Sequence, residues 1–246
     1  MRSMILTAVF WLGLTVPTVP AQPPRFVAQA IDLHVGNVCY AVTVADVSGD
    51  GKLDVVAVTE DSVYWYENPT WKRHDIIRGG TAKDSVCIQP RDIDGDGRID
   101  FALGAGWRPP DTTRASTLQW LGRDPAGTWR IHPIDSHEPS LHRLRWGDVK
   151  GSGKKQLVVA ALQGRGTRPP NWGEGQGVRV LIYDVPDDPI KQPWPVEIAE
   201  ETLHTIHNIQ LVDVDGDRRD EIVLACWEGV FLLDPYAKLN NGQKRG

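Results

Sequence analysis

Apolar residues along this chain gather in short runs rich in Val, Ile and aromatic side chains, and Gly, Pro, Asn or Asp bounds each run. The helical spacing of apolar positions does not persist anywhere, so the pattern predicts strands and tight turns. Four segments repeat one order: a short apolar strand, an Asp/Gly loop, a second apolar strand, an aromatic strand and a final short strand. In the first, Tyr40–Ala45 leads into a loop beginning at Asp46, followed by Val55–Val58, Ser62–Tyr66 and an outer strand marked by Trp71, His74 and Ile76. The second gives Ile99–Leu103, Leu118–Leu121 and Trp129–Ile134 around the loop at Asp92. The third gives Leu157–Ala161, Val178–Tyr183 and Trp194–Ile198 around Asp148, and the fourth Glu221–Ala225 and Val230–Leu233 around Asp213.

Four strands per repeat at this length match a β-propeller blade. A lone four-stranded sheet cannot bury both faces, so neighbouring blades must supply the core. A β-sandwich of repeated hairpins is the alternative. The expected fold is all-β, with about four blades over residues 35–237. That number implies a small ring, an incomplete ring, or a ring completed by another chain, and so a possible homo-oligomer.

The ends read differently. Residues 1–21 have a basic start, an apolar stretch and small residues before a cleavage point, the pattern of an export signal; an uncleaved membrane anchor is the lesser alternative. Residues 22–34 form a lead-in and residues 238–246 a polar tail. The expected location is secreted, periplasmic or cell-surface, with no stable membrane span after processing. The 246 residues carry 27 basic and 32 acidic groups without a long basic tract, which argues against a nucleic-acid partner. The three cysteines, Cys39, Cys87 and Cys226, make no disulfide scaffold and read as buried small residues.

Calcium takes six to eight oxygen ligands, and tight acidic loops supply them. Asp92, Asp94, Asp96 and Asp100 occupy positions one, three, five and nine of the loop, with Gly95 and Gly97 permitting the sharp turn. Asp46, Ser48, Asp50 and Asp54 repeat that spacing, as do Asp213, Asp215, Asp217 and Glu221, although Arg218 replaces the second turn glycine. Asx-type turns on solvated hairpins would leave a similar trace. In the third loop Lys150 puts a positive charge at a ligand position, so that copy is expected to work without metal. The loops lack the Glu at position twelve that an EF-hand needs.

His142 and His207 fall six residues before Asp148 and Asp213, and Tyr40 holds that register in the first repeat. Equivalent positions in successive blades converge on one axis, so these side chains are expected to face a shared mouth. His137 and His204, five and three residues upstream, must then lie in loops that curl back toward the axis. Imidazoles plus a carboxylate suit zinc, here His137, His142 and His207, or proton transfer by His137, Glu138 and His204. Tyr40 is a candidate oxyanion donor, and Lys83 with Asp84 enters from the equivalent approach to the second inner strand. His74 and His132 repeat on outer strands and read as structural. Two related insertions, Gly106-Trp107-Arg108-Pro109-Pro110 and Gly166-Thr167-Arg168-Pro169-Pro170, together with Trp172, Trp227 and Glu228, offer aromatic planes beside charges that suit a sugar ring. Scattered channel polar residues and Pro-fixed packing are the plain readings of the same features.

The loops and strand pattern resemble FG-GAP or VCBS repeats of calcium-binding propellers. More specifically, His137-Glu138-Pro139-Ser140-Leu141-His142-Arg143-Leu144-Arg145-Trp146, Tyr64-Trp65-Tyr66-Glu67-Asn68-Pro69 and Leu203-His204-Thr205-Ile206-His207-Asn208 resemble the propeller of aldos-2-ulose dehydratases. That resemblance implies a metal in the propeller and dehydration of keto sugars, a carbon–oxygen lyase activity. This chain departs from the family in showing no cupin-like segment and fewer blades. Two functions follow as expectations: a metal-dependent keto-sugar dehydratase, or a non-catalytic propeller that binds a small sugar or polysaccharide or mediates adhesion.

Overall fold

The computed structural model describes residues 26–234, so the expected signal and polar tail lie outside the described residues. The described residues divide between Ala30 and Ile31 into two units, and every described strand belongs to the second. Among the described residues there is no helix, and hence none long and apolar enough to cross a membrane.

Fifteen strands make four antiparallel sheets. Blade 1 contains β1 (Cys39–Ala45), β2 (Asp54–Thr59), β3 (Ser62–Glu67) and β4 (Lys72–Arg78) in sequence order. Blade 2 contains β5 (Cys87–Arg91), β6 (Asp100–Ala105), β7 (Thr117–Arg123) and β8 (Trp129–Ile134). Blade 3 contains β9 (Leu141–Gly147), β10 (Gln156–Ala161), β11 (Val180–Tyr183) and β12 (Val196–Glu200). Blade 4 contains β13 (Asn208–Val212), β14 (Glu221–Cys226) and β15 (Gly229–Leu233). Among the described residues the sheets do not close into a ring.

The inner strands line up in turn: β1 lies against β5, β5 against β9, and β9 against β13. Strand alternation explains how one sheet feeds two interfaces. Leu157 and Val159 of β10 face blade 2, in a core with Leu118, Trp120 and Ile134. Val158 and Ala160 of the same strand face blade 4, in a core with Val180, Ile182, Ile209, Ile222 and Leu224. Buried on both sides, β10 therefore reads Gln-Leu-Val-Val-Ala-Ala without polar alternation. A third core joins Val56, Val58 and Val63 of blade 1 to Ile88, Phe101 and Leu103 of blade 2. Each fully buried Leu, Ile or Phe stabilises these contacts by roughly 1.5–3 kcal/mol. Truncating Leu157, which has no exposed surface, to Ala is expected to cost about 2–5 kcal/mol.

Blades 3 and 4 approach closely beside their turns. The Asp148 amide donates to Asp220 Oδ2 at 2.8 Å, and the Asp220 amide donates to the Asp148 carbonyl at 3.0 Å. A Cβ at Gly147 would lie 2.6 Å from Leu211 Cδ1, so glycine is what lets these inner strands meet.

Some expectations shift. Trp194 precedes the third outer strand instead of starting it, because its buried ring fills the blade 2/3 core while Nε1 donates to the Pro189 carbonyl at 3.2 Å. The cysteines are unpaired, as expected, but Cys39 is exposed and Cys226 half-buried, leaving Cys87 as the buried one. The outer-strand histidines are structural stacks: His74 lies on Trp65 and His132 on Trp120, both with ring centroids 4.3 Å apart.

Candidate functional site

Two neighbourhoods gather the residues that the sequence singles out. The first is the set of acidic loops joining the first and second strand of each blade. In blade 2 the carboxylate oxygens of Asp92, Asp94 and Asp96 lie within 4.8 Å of one another, and in blade 4 those of Asp213, Asp215 and Glu221 do the same. Glu221 is 3% exposed; its Oε2 accepts from the Val214 amide at 2.8 Å, and its Oε1 has no partner. A buried carboxylate oxygen without a partner is costly, and a cation between the three carboxylates would offset that cost. Asp100 is equally buried, and burial first, then the charges of Asp94 and Asp96, push its carboxyl up to about 7. Both loops bring three carboxylates within reach of one hard cation, although in blade 2 Arg98 already engages Asp96 at 2.5 Å.

The blade 1 loop fits less well. Asp46 accepts from the amides of Gly49, Asp50 and Gly51, and Asp50 is engaged by Lys52 at 2.6 Å. Asp54 is buried and accepts from the amides of Val47, Ser48 and Asn68. Its Ser48 lies 3.5 Å from Asp46 through Oγ, and this loop makes no convergent carboxylate triad. In blade 4, Asp217 turns away to pair with Arg219, and Arg218 adopts the left-handed φ of 73° where the other loops have glycine. In blade 3, Lys150 bonds Asp184 and Glu197, and Asp148 accepts from the amides of Ser152 and Gly153. That loop spends its carboxylate on backbone amides, while its lysine reaches away to acids beside the outer strands of the blade.

The second neighbourhood is axial. Tyr40 on β1, Trp107 beyond β6, His142 on β9 and His207 just before β13 meet although they belong to four blades. Ring centroids lie 6.2 Å apart for Tyr40–Trp107, 6.1 Å for Trp107–His142 and 5.1 Å for His142–His207. The matching register therefore does bring Tyr40, His142 and His207 to one place. A repeated kink contributes. Asp84, Ser140 and Thr205 precede the inner strands at equivalent positions and hold left-handed φ values of 65°, 45° and 47°. Such backbone is unfavourable for non-glycine residues, above all for β-branched Thr, and it turns the approach segments toward the axis.

Hydrogen bonds organise this cluster. The Tyr40 hydroxyl donates to Asp84 Oδ1 at 2.8 Å, and that bond raises the phenol's pKa above its ordinary value. Arg143 Nη1 lies 2.9 Å from His142 Nε2. Burial, then the charges of Arg143 and His207, lower the His142 imidazole to about 4. His142 Nδ1 and Trp107 Nε1 have no partner. An arginine can only donate, so His142 Nε2 accepts and Nδ1 carries the proton. The cluster thus holds two buried N–H donors without acceptors, neither of them open to solvent.

Other expected members are elsewhere or engaged. His137 is exposed, with Nε2 3.5 Å from Asp135 Oδ1 and its carbonyl accepting from Arg165. His137, His142 and His207 therefore do not converge as a zinc set, and among the described residues no histidine joins a convergent metal-ligand group. Glu138 is buried and ion-paired with Arg179, so its carboxylate is committed where a free base was expected. His204 places Nδ1 2.6 Å from Glu228 Oε1 and Nε2 3.3 Å from the Gly175 carbonyl. Both its nitrogens face acceptors, which suits a fastener better than a proton carrier. Glu228 thus serves His204, not a free surface.

Lys83 is exposed and contributes its carbonyl to the Gly106 amide at 2.9 Å, while its neighbour Asp84 reaches Tyr40. The Arg108 carbonyl accepts from Ser140 Oγ at 3.0 Å, tying the first insertion to the kink. Arg168 is exposed, Trp172 accepts through its carbonyl from Thr205 Oγ1 at 3.5 Å, and Trp227 is 62% exposed beside Gly173. Only Trp107 of these insertion residues joins the axial rings. Sequence reasoning passed over Arg143 and Arg179; adjacency to His142 was the available signal for the first, and nothing local pointed to the second.

Comparison with known proteins agrees with the blades. Residues 46–103 match the FG-GAP-like repeat. Over 113 residues the chain is 30% identical to an aldos-2-ulose dehydratase of Phanerodontia chrysosporium, covering 43% of this chain and 11% of that protein. The chain therefore spans a small fraction of that relative's length. Among solved structures, an Agrocybe aegerita lectin described as recognising non-reducing terminal N-acetylglucosamine superposes with a TM-score of 0.50 and 14% identity, over 80% of this chain and 49% of that one. At that identity the likeness concerns fold. The described residues are thus a series of β-propeller blades, and residues 46–103 match the FG-GAP-like repeat.

Proposed function

We propose that this chain is a carbohydrate-handling propeller, that its axial cluster receives a 2-keto sugar, and that dehydration of that sugar is its chemistry. The observation carrying the reading is the edge contact of His142 with exposed His207 beside Trp107. An aromatic plane next to an exposed imidazole suits a sugar ring with a carbonyl. The partial identity to a dehydratase supports the reaction class. In the step, a base takes the proton next to the carbonyl, the electron pair forms the carbon–carbon double bond, and the neighbouring hydroxyl leaves with a proton as water. With Glu138 and His204 engaged, exposed His207 is the remaining base in the cluster; the buried N–H groups of Trp107 and His142 would reach the carbonyl oxygen only where the two rings part to admit the sugar.

The acidic loops of blades 2 and 4 would hold calcium as a structural ion, tying two strands of each blade together. Zinc has a poor ligand set at the axis and takes no part in this proposal. An export route to a calcium-rich, oxidising compartment accords with such sites.

The second reading is sugar binding without turnover. It is favoured by the commitment of Glu138 to Arg179, which removes the most acidic candidate from catalysis. Incubation with 1,5-anhydrofructose separates the two. Absorbance from an enone, lost by more than about 100-fold in His207→Ala, supports dehydration. Saturable binding without absorbance leaves the binding function alone, and the absence of both removes the carbohydrate proposal.

A further inference from the structure

The two end blades expose faces whose counterparts elsewhere in the chain are buried. In blade 4, β13 pairs Gln210 with Val223, and β14 pairs Val223 with Leu232 and Ala225 with Val230. In blade 3 the same ladder reads Arg145 with Val158, Val158 with Ile182 and Ala160 with Val180. Val223, Ala225, Val230 and Leu232 are therefore the repeat equivalents of Val158, Ala160, Val180 and Ile182. Blade 4 covers those blade 3 positions almost completely, yet Val230 is 78% and Leu232 57% exposed.

The opposite end shows the complementary half. Val42 of β1 pairs with Ala57, as Ile88 of β5 pairs with Leu103. Ile88 and Leu103 are buried against blade 1, whereas Val42 is 69% and its neighbour Val44 53% exposed. The outer part of this blade 1 face is covered: Val35 packs with Ala57, Tyr64 and Tyr66, and Asp32 accepts from the Tyr66 hydroxyl at 2.8 Å. That cover leaves β1 clear, and inner strands are the elements through which successive blades touch.

We infer that these faces are the two sides of one interface and that a second copy of this chain fills each. The distal face of blade 4, centred on Val223, Val230 and Leu232, packs on Val42 and Val44 of the partner. The reciprocal contact then joins the two copies into a closed pair, continuing the packing already used between blades 1, 2, 3 and 4. Apolar faces of this kind are costly in water, and a head-to-tail contact that closes avoids open polymers. This inference rests on the fold and is independent of the proposed sugar chemistry.

Light scattering on the full chain tests it, with twice the single-chain mass expected. Val42→Lys and Leu232→Lys should each raise the dissociation constant by at least about tenfold. Each variant retains one intact half, so an equimolar mixture should regain a two-chain species through one native interface. Unchanged circular dichroism is expected because both positions are exposed in the single chain, and the milder Val42→Ser and Leu232→Ser provide the same comparison. A single-chain mass for the unaltered protein overturns the inference. So does a pair indifferent to Val42→Lys, which would mean blade 4 pairs with itself, and so does failure of the mixture to reassociate.

Discussion

Arg143 turns back on the residue that precedes it, placing Nη1 2.9 Å from His142 Nε2. The guanidinium fixes the imidazole tautomer and, after burial, is the largest influence lowering its affinity for a proton. Replacing Arg143 with Met removes both effects. The His142 titration, followed by NMR of the ring protons, is expected near pH 4 in the unaltered protein and nearer the ordinary value of about 6.5 in the variant. An unmoved titration would show that burial alone sets it.

The same lowering makes stability depend on pH. An unfolded His142 takes up its proton below about pH 6.5, while the folded one resists until about 4. Its contribution is present in full above 6.5 and is lost as pH falls toward 4, because the unfolded chain binds the extra proton. The side chain is half-buried, so solvent reduces the effect to about 1–2 kcal/mol. Urea titrations across this window should show that slope in the parent and a flatter one in His142→Gln.

Glu138 makes a second test of how the approach loop is held. Its side chain is 4% exposed and its Arg179 partner 37% exposed. Removing Arg179 leaves a buried carboxylate without its cation, expected to cost about 2–3 kcal/mol given the partial exposure of the pair. Arg179→Met should therefore destabilise more than Glu138→Gln in urea unfolding. Equal losses would place the importance of the pair in packing, not charge.

Blade order was legible because strand alternation, turn residues and the Asp loops all repeat, and the sheets follow that order strand for strand. The register of Tyr40, His142 and His207 was legible for the same reason: equivalent positions in stacked repeats must share an axis. Partner choice was not. Glu138 and Arg179 are separated by forty-one positions and meet only because blade 3's third strand returns beside its own entry loop. His204 likewise reads as a free imidazole until Glu228, across the β14–β15 turn, is brought against it. In the loops, identical spacing concealed different uses of the carboxylates, since Asp54 spends its oxygens on backbone amides while Glu221 keeps one unpartnered.

The cysteines should react in order of exposure. Burial pushes the Cys87 thiol up to about 12, and it has no path to reagent in the folded state. Thiolate is the reactive form, so Cys87 should stay unmodified by iodoacetamide until the protein unfolds. Cys39, exposed on β1, should label first, and half-buried Cys226, whose pKa burial also raises, more slowly. Peptide mass spectrometry over time checks the order, and early labelling of Cys87 would mean that blades 2 and 3 separate readily.

Cation removal offers the sharpest comparison between loops that look alike in sequence. If blades 2 and 4 hold calcium, chelation should lower the melting temperature and added calcium should restore it, by RT ln(1 + [L]/Kd), about 2.7 kcal/mol at a hundredfold excess over Kd. Glu221→Gln keeps the shape of the side chain but removes the charge from Oε1, so it should weaken the blade 4 site and shrink the calcium-dependent shift. Lys150→Ala should destabilise through its lost bonds to Asp184 and Glu197. It should leave the calcium increment unchanged, because that loop gathers no carboxylate triad. Asp54→Asn separates the remaining case: a stability loss unaffected by calcium would assign the blade 1 carboxylate to its backbone amides, whereas a reduced calcium shift would make it a third ion site.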